Sequence, residues 1–167
     1  YNVKCNSNDV ILPSRVGLEI DNWVWEMALG KRDLAQPQSW MHLLHVDSVT
    51  YYPEVDETWQ PLYGERSAVR DHYNSATLHM SRHDKSYYRL EMEVRAYDQG
   101  VAFRYFFPEH QSAIFQKIVG DLTDYTLPEG TMAWSEKWAQ ATFDYTPVDS
   151  LNRPVERALT LQLPDGQ

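Results

Sequence analysis

The sequence is poor in several features that would have made it simple to read. It has one cysteine, Cys5, so no disulfide can close within the chain. Lying near a terminus and outside any motif, Cys5 is read as a bystander rather than a nucleophile, and it leaves the redox compartment undecided. No apolar run approaches the ~20 residues of a membrane helix, so no membrane span is expected. No run of Lys and Arg exists either. The 15 basic residues face 24 acidic ones, a formal net charge of -9, which makes nucleic acid and anionic membranes poor partners and favours solubility. There is no signal peptide and no initial Met. Tyr1-Asn2-Val3-Lys4 already reads as strand, which suggests a mature or cut chain. A Gly-rich phosphate loop, a Gly-x-Ser-x-Gly elbow and a Cys pair are all missing. So are internal repeats, low-complexity tracts, any visible domain boundary, and a helical apolar stripe of ~10 residues.

What remains is ordinary in bulk and unusual in one respect. The 167 residues are 43% hydrophobic and 23% charged, a globular composition that excludes general disorder. Aromatics reach 13%, with 6 Trp and 11 Tyr. Any single one of them is read as filling a sheet face, where aromatics are favoured. Among the whole group, at least one is expected to offer a flat platform to a sugar ring.

The dominant period is two. Tyr88, Leu90, Met92, Val94 and Ala96 alternate with Arg89, Glu91, Glu93 and Arg95, as in a strand with one buried face. Asp98-Gln99-Gly100 reads as a turn, with Gly100 suited to a positive φ. Val101, Phe103, Tyr105 and Phe107 then alternate up to Pro108. The segment 88–107 is therefore predicted to be an antiparallel hairpin, with Tyr88, Leu90, Met92, Val94, Phe103 and Tyr105 facing inward. Arg104 is the odd member and is expected to reach Glu93 across the strands. Further strands are expected at 15–20, 23–27, 41–52, 76–81, 112–119, 131–134, 141–145 and 159–163, with Asp21-Asn22 as a turn and one helical turn at 31–38. Segments 30–39, 53–64, 128–130 and 147–154 read as links. Many short strands imply an all-β antiparallel sandwich or barrel. At the end, Leu159–Leu163 runs into Pro164-Asp165-Gly166, a hairpin turn without its returning strand. This points to truncation inside a domain, with an open edge.

Residues able to carry chemistry are scattered. The histidines are His42, His45, His72, His79, His83 and His110. His79 and His83 have helical zinc spacing, but on a strand they lie ~13 Å apart, so no metal site is expected. Glycosidases need two paired carboxylates. No pair is identifiable, since Glu91 and Glu93 read as surface ion pairs with Arg89 and Arg95, and Glu54, Asp56 and Glu57 as solvated loop residues. The densest segment runs from Trp59 to Asn74, where aromatics, both charge signs and an amide follow one another. Glu65, Arg66 and Asn74 are the substrate-contact candidates. Arg70, Asp71 and Arg104 are the candidates for structural locks, with Arg70 and Asp71 holding a long loop. For the segment as a whole, lock ranks ahead of direct sugar contact.

At this point the chain resembles a known family, the N-terminal domain of glycoside hydrolase family 97. The resemblance rests on Val10-Ile11-Leu12-Pro13-Ser14 with Gly17-Leu18, on Trp59-Gln60-Pro61, and on 63–74 with Gly64-Glu65, Arg70-Asp71 and Tyr73-Asn74. It continues through 95–105 and ends in 154–166, where Leu159-Thr160-Leu161 leads into Asp165-Gly166. One segment, 139–145, departs from it, with Asp144-Tyr145 where a glutamate often precedes the aromatic. The resemblance implies a β-supersandwich (galactose-mutarotase-like) N-domain on a (β/α)8 catalytic barrel, followed by a small C-terminal β domain. It implies a parent enzyme, inverting or retaining, that hydrolyses α-glucosides or α-galactosides with Ca2+ at its active site, in the periplasm or secreted. Residues 1–167 would then be a partial N-terminal domain, with barrel and C-terminal domain absent. No catalytic or metal residue would lie in this segment, and its partners would be the barrel and, through the parent, an α-linked oligosaccharide. The segment alone would be inactive and prone to self-association. The alternatives are a free-standing carbohydrate-binding module and, behind it, an aldose-epimerase-like enzyme using His and Glu.

Overall fold

The computed structural model describes residues 1–21, 38–40, 43–84, 88–109 and 116–164. Every strand pairing among the described residues is antiparallel. Among the described residues the only helical element is a 3₁₀ turn, Val148–Ser150, so none is long and apolar enough to cross a membrane. The expected strand at 23–27, most of the helical turn at 31–38, His42, His110 and the Asp165-Gly166 turn lie outside the described residues. The chain forms two compact units, Gly17–Leu122 and the pair of segments Tyr1–Val16 and Thr123–Gln167. The sequence shows no such boundary because the second unit is built from both ends of the chain, and no linker marks the crossing points.

In the Gly17–Leu122 unit the main sheet is built on one long strand, β7 (Val69–Arg82). Its first half pairs with β6 (Val55–Trp59) and its second with β5 (Leu44–Tyr51). On the other side come β8 (Arg89–Tyr97) and β9 (Gly100–Phe106). The predicted hairpin is present, in the expected register. Tyr97 lies opposite Gly100, which leaves Asp98-Gln99 as a two-residue turn. Gly100 lacks the positive φ expected of it and opens β9; within this unit Gly64, in the β6–β7 loop, has φ 121°. A second difference is β6. Residues 53–64 read as a link, yet Val55–Trp59 pairs along β7, so Asp56 and Glu57 belong to a strand although their side chains remain exposed.

Alternation decides which side chains form the core. Leu90 and Met92 are buried, and Tyr88 just before β8 is 1% exposed, while Arg89 faces water. Val94, Phe103 and Tyr105 share the Leu90 face and are half-buried; towards the turn Ala96 and Val101 on that face become exposed. Met80, opposite Leu90, and Trp40 complete this core, the Trp40 and Tyr88 rings lying 5.2 Å apart. A small sheet of β4 (Gln38–Ser39), β3 (Leu18–Ile20) and β10 (Ile118–Asp121) adds Leu18 and Ile20. β3 is shorter than the expected 15–20, and β10 runs past the expected end at 119, while 112–115 of that expected strand lie outside the described residues. Short strands leave few residues from which a period can be read.

The other unit holds the hairpin of β1 (Val3–Cys5) and β2 (Asn8–Ile11), turned by Asn6 at φ 55°, a backbone region that Asn tolerates. It also holds the sheet β12-β11-β13, formed by Asp144–Pro147, Met132–Ser135 and Thr160–Gln162. Strand β13 pairs on one side with β11. Ser14 explains the Pro13-Ser14 motif. Its buried hydroxyl accepts from the Thr126 amide and donates to the Leu12 carbonyl, each at 2.8 Å. One side chain thereby ties residues more than a hundred positions apart.

Candidate functional site

The end of the main sheet beside the β8–β9 turn carries a groove of about 460 Å3, within the ~300–1,000 Å3 of ordinary ligand sites. Arg66, Arg70 and His72 line it from the β6–β7 loop and β7, and Tyr97, Asp98 and Gln99 from β8 and the turn. In the segment 59–74, Trp59 ends β6, residues 60–68 form a loop, and 69–74 are the first six residues of β7. On a strand, Arg70, His72 and Asn74 share a face and Asp71 and Tyr73 take the other.

On the first face, charges are matched across strands. Arg70 donates through Nε and Nη2 to the two oxygens of Asp56, each at 2.7 Å, a bidentate pair joining β7 to β6. That bond holds the Asp56 carboxyl below its usual range and raises the Arg70 guanidinium. His72 sits between two carboxylates, with Nδ1 2.9 Å from Asp98 and Nε2 2.7 Å from Glu54. The Asp98 contact first, and then that of Glu54, raise its pKa above the ordinary value.

On the second face, Glu93 accepts from Arg95 at 2.9 Å and from Arg104 at 2.6 Å. The cross-strand partner expected for Arg104 is therefore Glu93. The Arg95 contact first, then that of Arg104, keep the Glu93 carboxyl low, and hydrogen bonds with Tyr97 and Glu93 raise Arg95. The Arg95 guanidinium lies 4.5 Å from the Tyr73 ring centre, and the Tyr73 and Tyr97 rings, directly opposite in register, are 5.1 Å apart. Further along, Glu91 meets His79 at 2.9 Å.

The candidate residues therefore separate. Arg66 and Arg70 line one groove, and Asn74 lies two positions beyond His72 on the same strand face, exposed. Glu65 is exposed in the β6–β7 loop. Asp71 lies opposite Glu57 on the reverse face, and Arg104 belongs to the Glu93 cluster. The sequence reading missed His72, Glu54 and Asp98 as one constellation. The period-two spacing of Arg70, His72 and Asn74 signals only that these three share a strand face, not which connections reach them. Among the described residues no group of three or more His, Cys, Asp and Glu side chains is placed to hold a metal ion. The two carboxylates at His72 do not converge, because they meet opposite nitrogens of the ring.

Antiparallel sheets throughout, with charged and aromatic side chains on their faces, define the class: an all-β antiparallel sandwich domain. The family follows from comparison with known proteins. The family model described as "Glycosyl-hydrolase 97 N-terminal" matches residues 1–166, and the chain belongs to that family. It is 28% identical over 134 residues, 80% of its length, to a "Retaining alpha-galactosidase" of Bacteroides thetaiotaomicron. A "Glycoside Hydrolase Family 97 enzyme in complex with Acarbose" from Pseudoalteromonas sp. strain K8 superposes on 99% of the chain with TM-score 0.81 at 21% identity. A "beta-arabinopyranosidase" superposes on 95% with TM-score 0.73 at 15% identity. These structures share the fold. The chain spans 16% of the first relative and 24% and 25% of the two structures.

Proposed function

We propose that this chain is the non-catalytic N-terminal portion of a family 97 α-glycoside hydrolase, packing on a (β/α)8 barrel and helping to shape its carbohydrate site. The observation that carries the reading is the family match over residues 1–166 in a chain that is a small part of its relatives. That match favours it over a free-standing binding module or an aldose-epimerase-like enzyme. In the whole protein Arg66, with Glu65 and Asn74, would approach an α-linked glucoside or galactoside. Arg70, Asp71 and Arg104 would hold the sheet that positions them. The calcium that the resemblance implies would take its ligands from elsewhere in the whole protein, since among the described residues no three His, Cys, Asp or Glu side chains converge. Placement in the periplasm or outside the cell belongs to the same reading.

The test is release of nitrophenol from α-glucoside and α-galactoside substrates. The whole protein is expected to turn over one of them and the 167-residue chain neither. Turnover by the chain alone would sink the proposal. A second expectation concerns association. Among the described residues β9 is an edge strand of the main sheet, with Val101 about half exposed on one face and Phe106 on the other, and open strand edges promote pairing. The isolated chain should therefore sediment as a dimer or larger species, and a monomer at all concentrations would end that part of the reading.

A further inference from the structure

The geometry at His72 does more than line a groove. A neutral imidazole has one N–H donor and one bare acceptor nitrogen. Here both nitrogens face carboxylate oxygens, Nε2 at Glu54 and Nδ1 at Asp98. A carboxylate is an acceptor only, so a neutral ring would set a lone pair against a lone pair on one side or the other. Only the imidazolium satisfies both contacts. The two carboxylates belong to different parts of the sheet, 18 and 26 residues away from His72 in sequence. Glu54 lies in the connection between β5 and β6, and Asp98 in the β8–β9 turn.

We propose that His72 is a pH-operated clamp, which as the imidazolium ties the β5–β6 connection to the β8–β9 turn and on losing its proton releases one of them and loosens the groove. The surrounding charges fit this role. Asp56 lies opposite His72 on β6, and Arg70, the neighbouring cation on the same face of β7, is engaged by Asp56. Its charge is thus offset beside the ring. Arg66 from the β6–β7 loop and Tyr97 from β8 line the same groove. The imidazole is 23% exposed, and the Glu54 and Asp98 carboxylates that hold it reach it from the solvent side, being themselves mostly exposed. The direction follows from linkage. With its folded value raised, the contribution of His72 to stability is complete below the ordinary histidine pKa of about 6.5 and is lost as pH rises through the folded value. The clamp is closed in acid and open in base.

The test is hydrogen exchange in the intact protein, followed by mass spectrometry across pH 5 to 9. Slow exchange at the imidazole carbon between the ring nitrogens reports the His72 titration, and backbone amides in 53–59 and 96–102 report the two tethered segments. His72 is expected to titrate above free histidine, and one or both segments to lose protection over the same interval. The base-catalysed rise common to all amides is removed by comparison with His72→Gln, which should show no such interval. Glu54→Gln and Asp98→Asn alter exposed carboxylates, so they should fold, and each should move the His72 titration downward. Titration at or below the free value, or backbone protection that ignores it, overturns the clamp.

Discussion

Replacing Trp40 by alanine is expected to remove about 3–5 kcal/mol from the stability of the Gly17–Leu122 unit, the usual cost of deleting a buried Trp or Phe. The reason is how much meets at that ring. Trp40 is 1% exposed, packed on Tyr88 at 5.2 Å and edge-on to Phe107 at 6.1 Å. The guanidinium carbon of Arg82, itself buried, lies 5.3 Å from the Trp40 ring centre and 5.2 Å from that of Tyr88. A desolvated cation on an aromatic face contributes ~2 kcal/mol or more. Removing the indole leaves a cavity and strips an apolar cover from a buried charge at once. Domains are stable by only about 5–15 kcal/mol, so the variant should be largely or wholly unfolded at modest urea. Trp40→Phe, which keeps an aromatic face, should recover part of the loss. Exchange protection in β7 and β8 gives the measurement, since it follows this unit separately from the other. A loss under about 1 kcal/mol would mean that Trp40 does not anchor the core.

The parts of the fold visible in the sequence and the parts that were not differ in a physical way. The 88–107 hairpin is legible because one face must be dry and the other wet. Large apolar residues therefore alternate with charged ones, and a one-residue slip would bury Glu91 and Glu93. Strand β6 leaves no such trace. Asp56, Glu57, Thr58 and Trp59 are all exposed, and backbone pairing along β7 holds the strand in place. A strand that needs no apolar face looks like a loop. The site is harder still. The Arg104–Glu93 pair could be foreseen because the hairpin register places those two residues opposite each other. The Arg70–Asp56 pair could not, once β6 had been taken for a link. Nor could the meeting of His72 with Glu54 and Asp98, which depends on two connections ending at one height on β7. Sequence periodicity carries the orientation of a side chain and says nothing of which connection arrives beside it.

The largest contrast between neighbouring residues is expected at positions 89 and 90. Leu90 is 0% exposed and sits opposite Met80 across β7 and β8, while Arg89 lies one residue earlier on the other face, in water. Leu90→Asp places a carboxyl group among apolar side chains. Either it stays ionised and loses its hydration, or it takes up a proton at the expense of its pKa. Both routes cost several kcal/mol, to which the lost burial of leucine adds ~2 kcal/mol. Taken together, these should unfold the Gly17–Leu122 unit at neutral pH. Because an ionisable group is responsible, lowering the pH toward 4 should restore part of the structure, as the neutral acid is cheaper to bury. Leu90→Asn, which cannot titrate, should show no such recovery. Arg89→Asp inverts a full charge, yet it should move stability only by about 0.5 kcal/mol, the scale of ordinary surface changes. Circular dichroism of the four proteins across pH tests the argument. If Arg89→Asp proved the more damaging, the two faces of β8 would have been assigned the wrong way round.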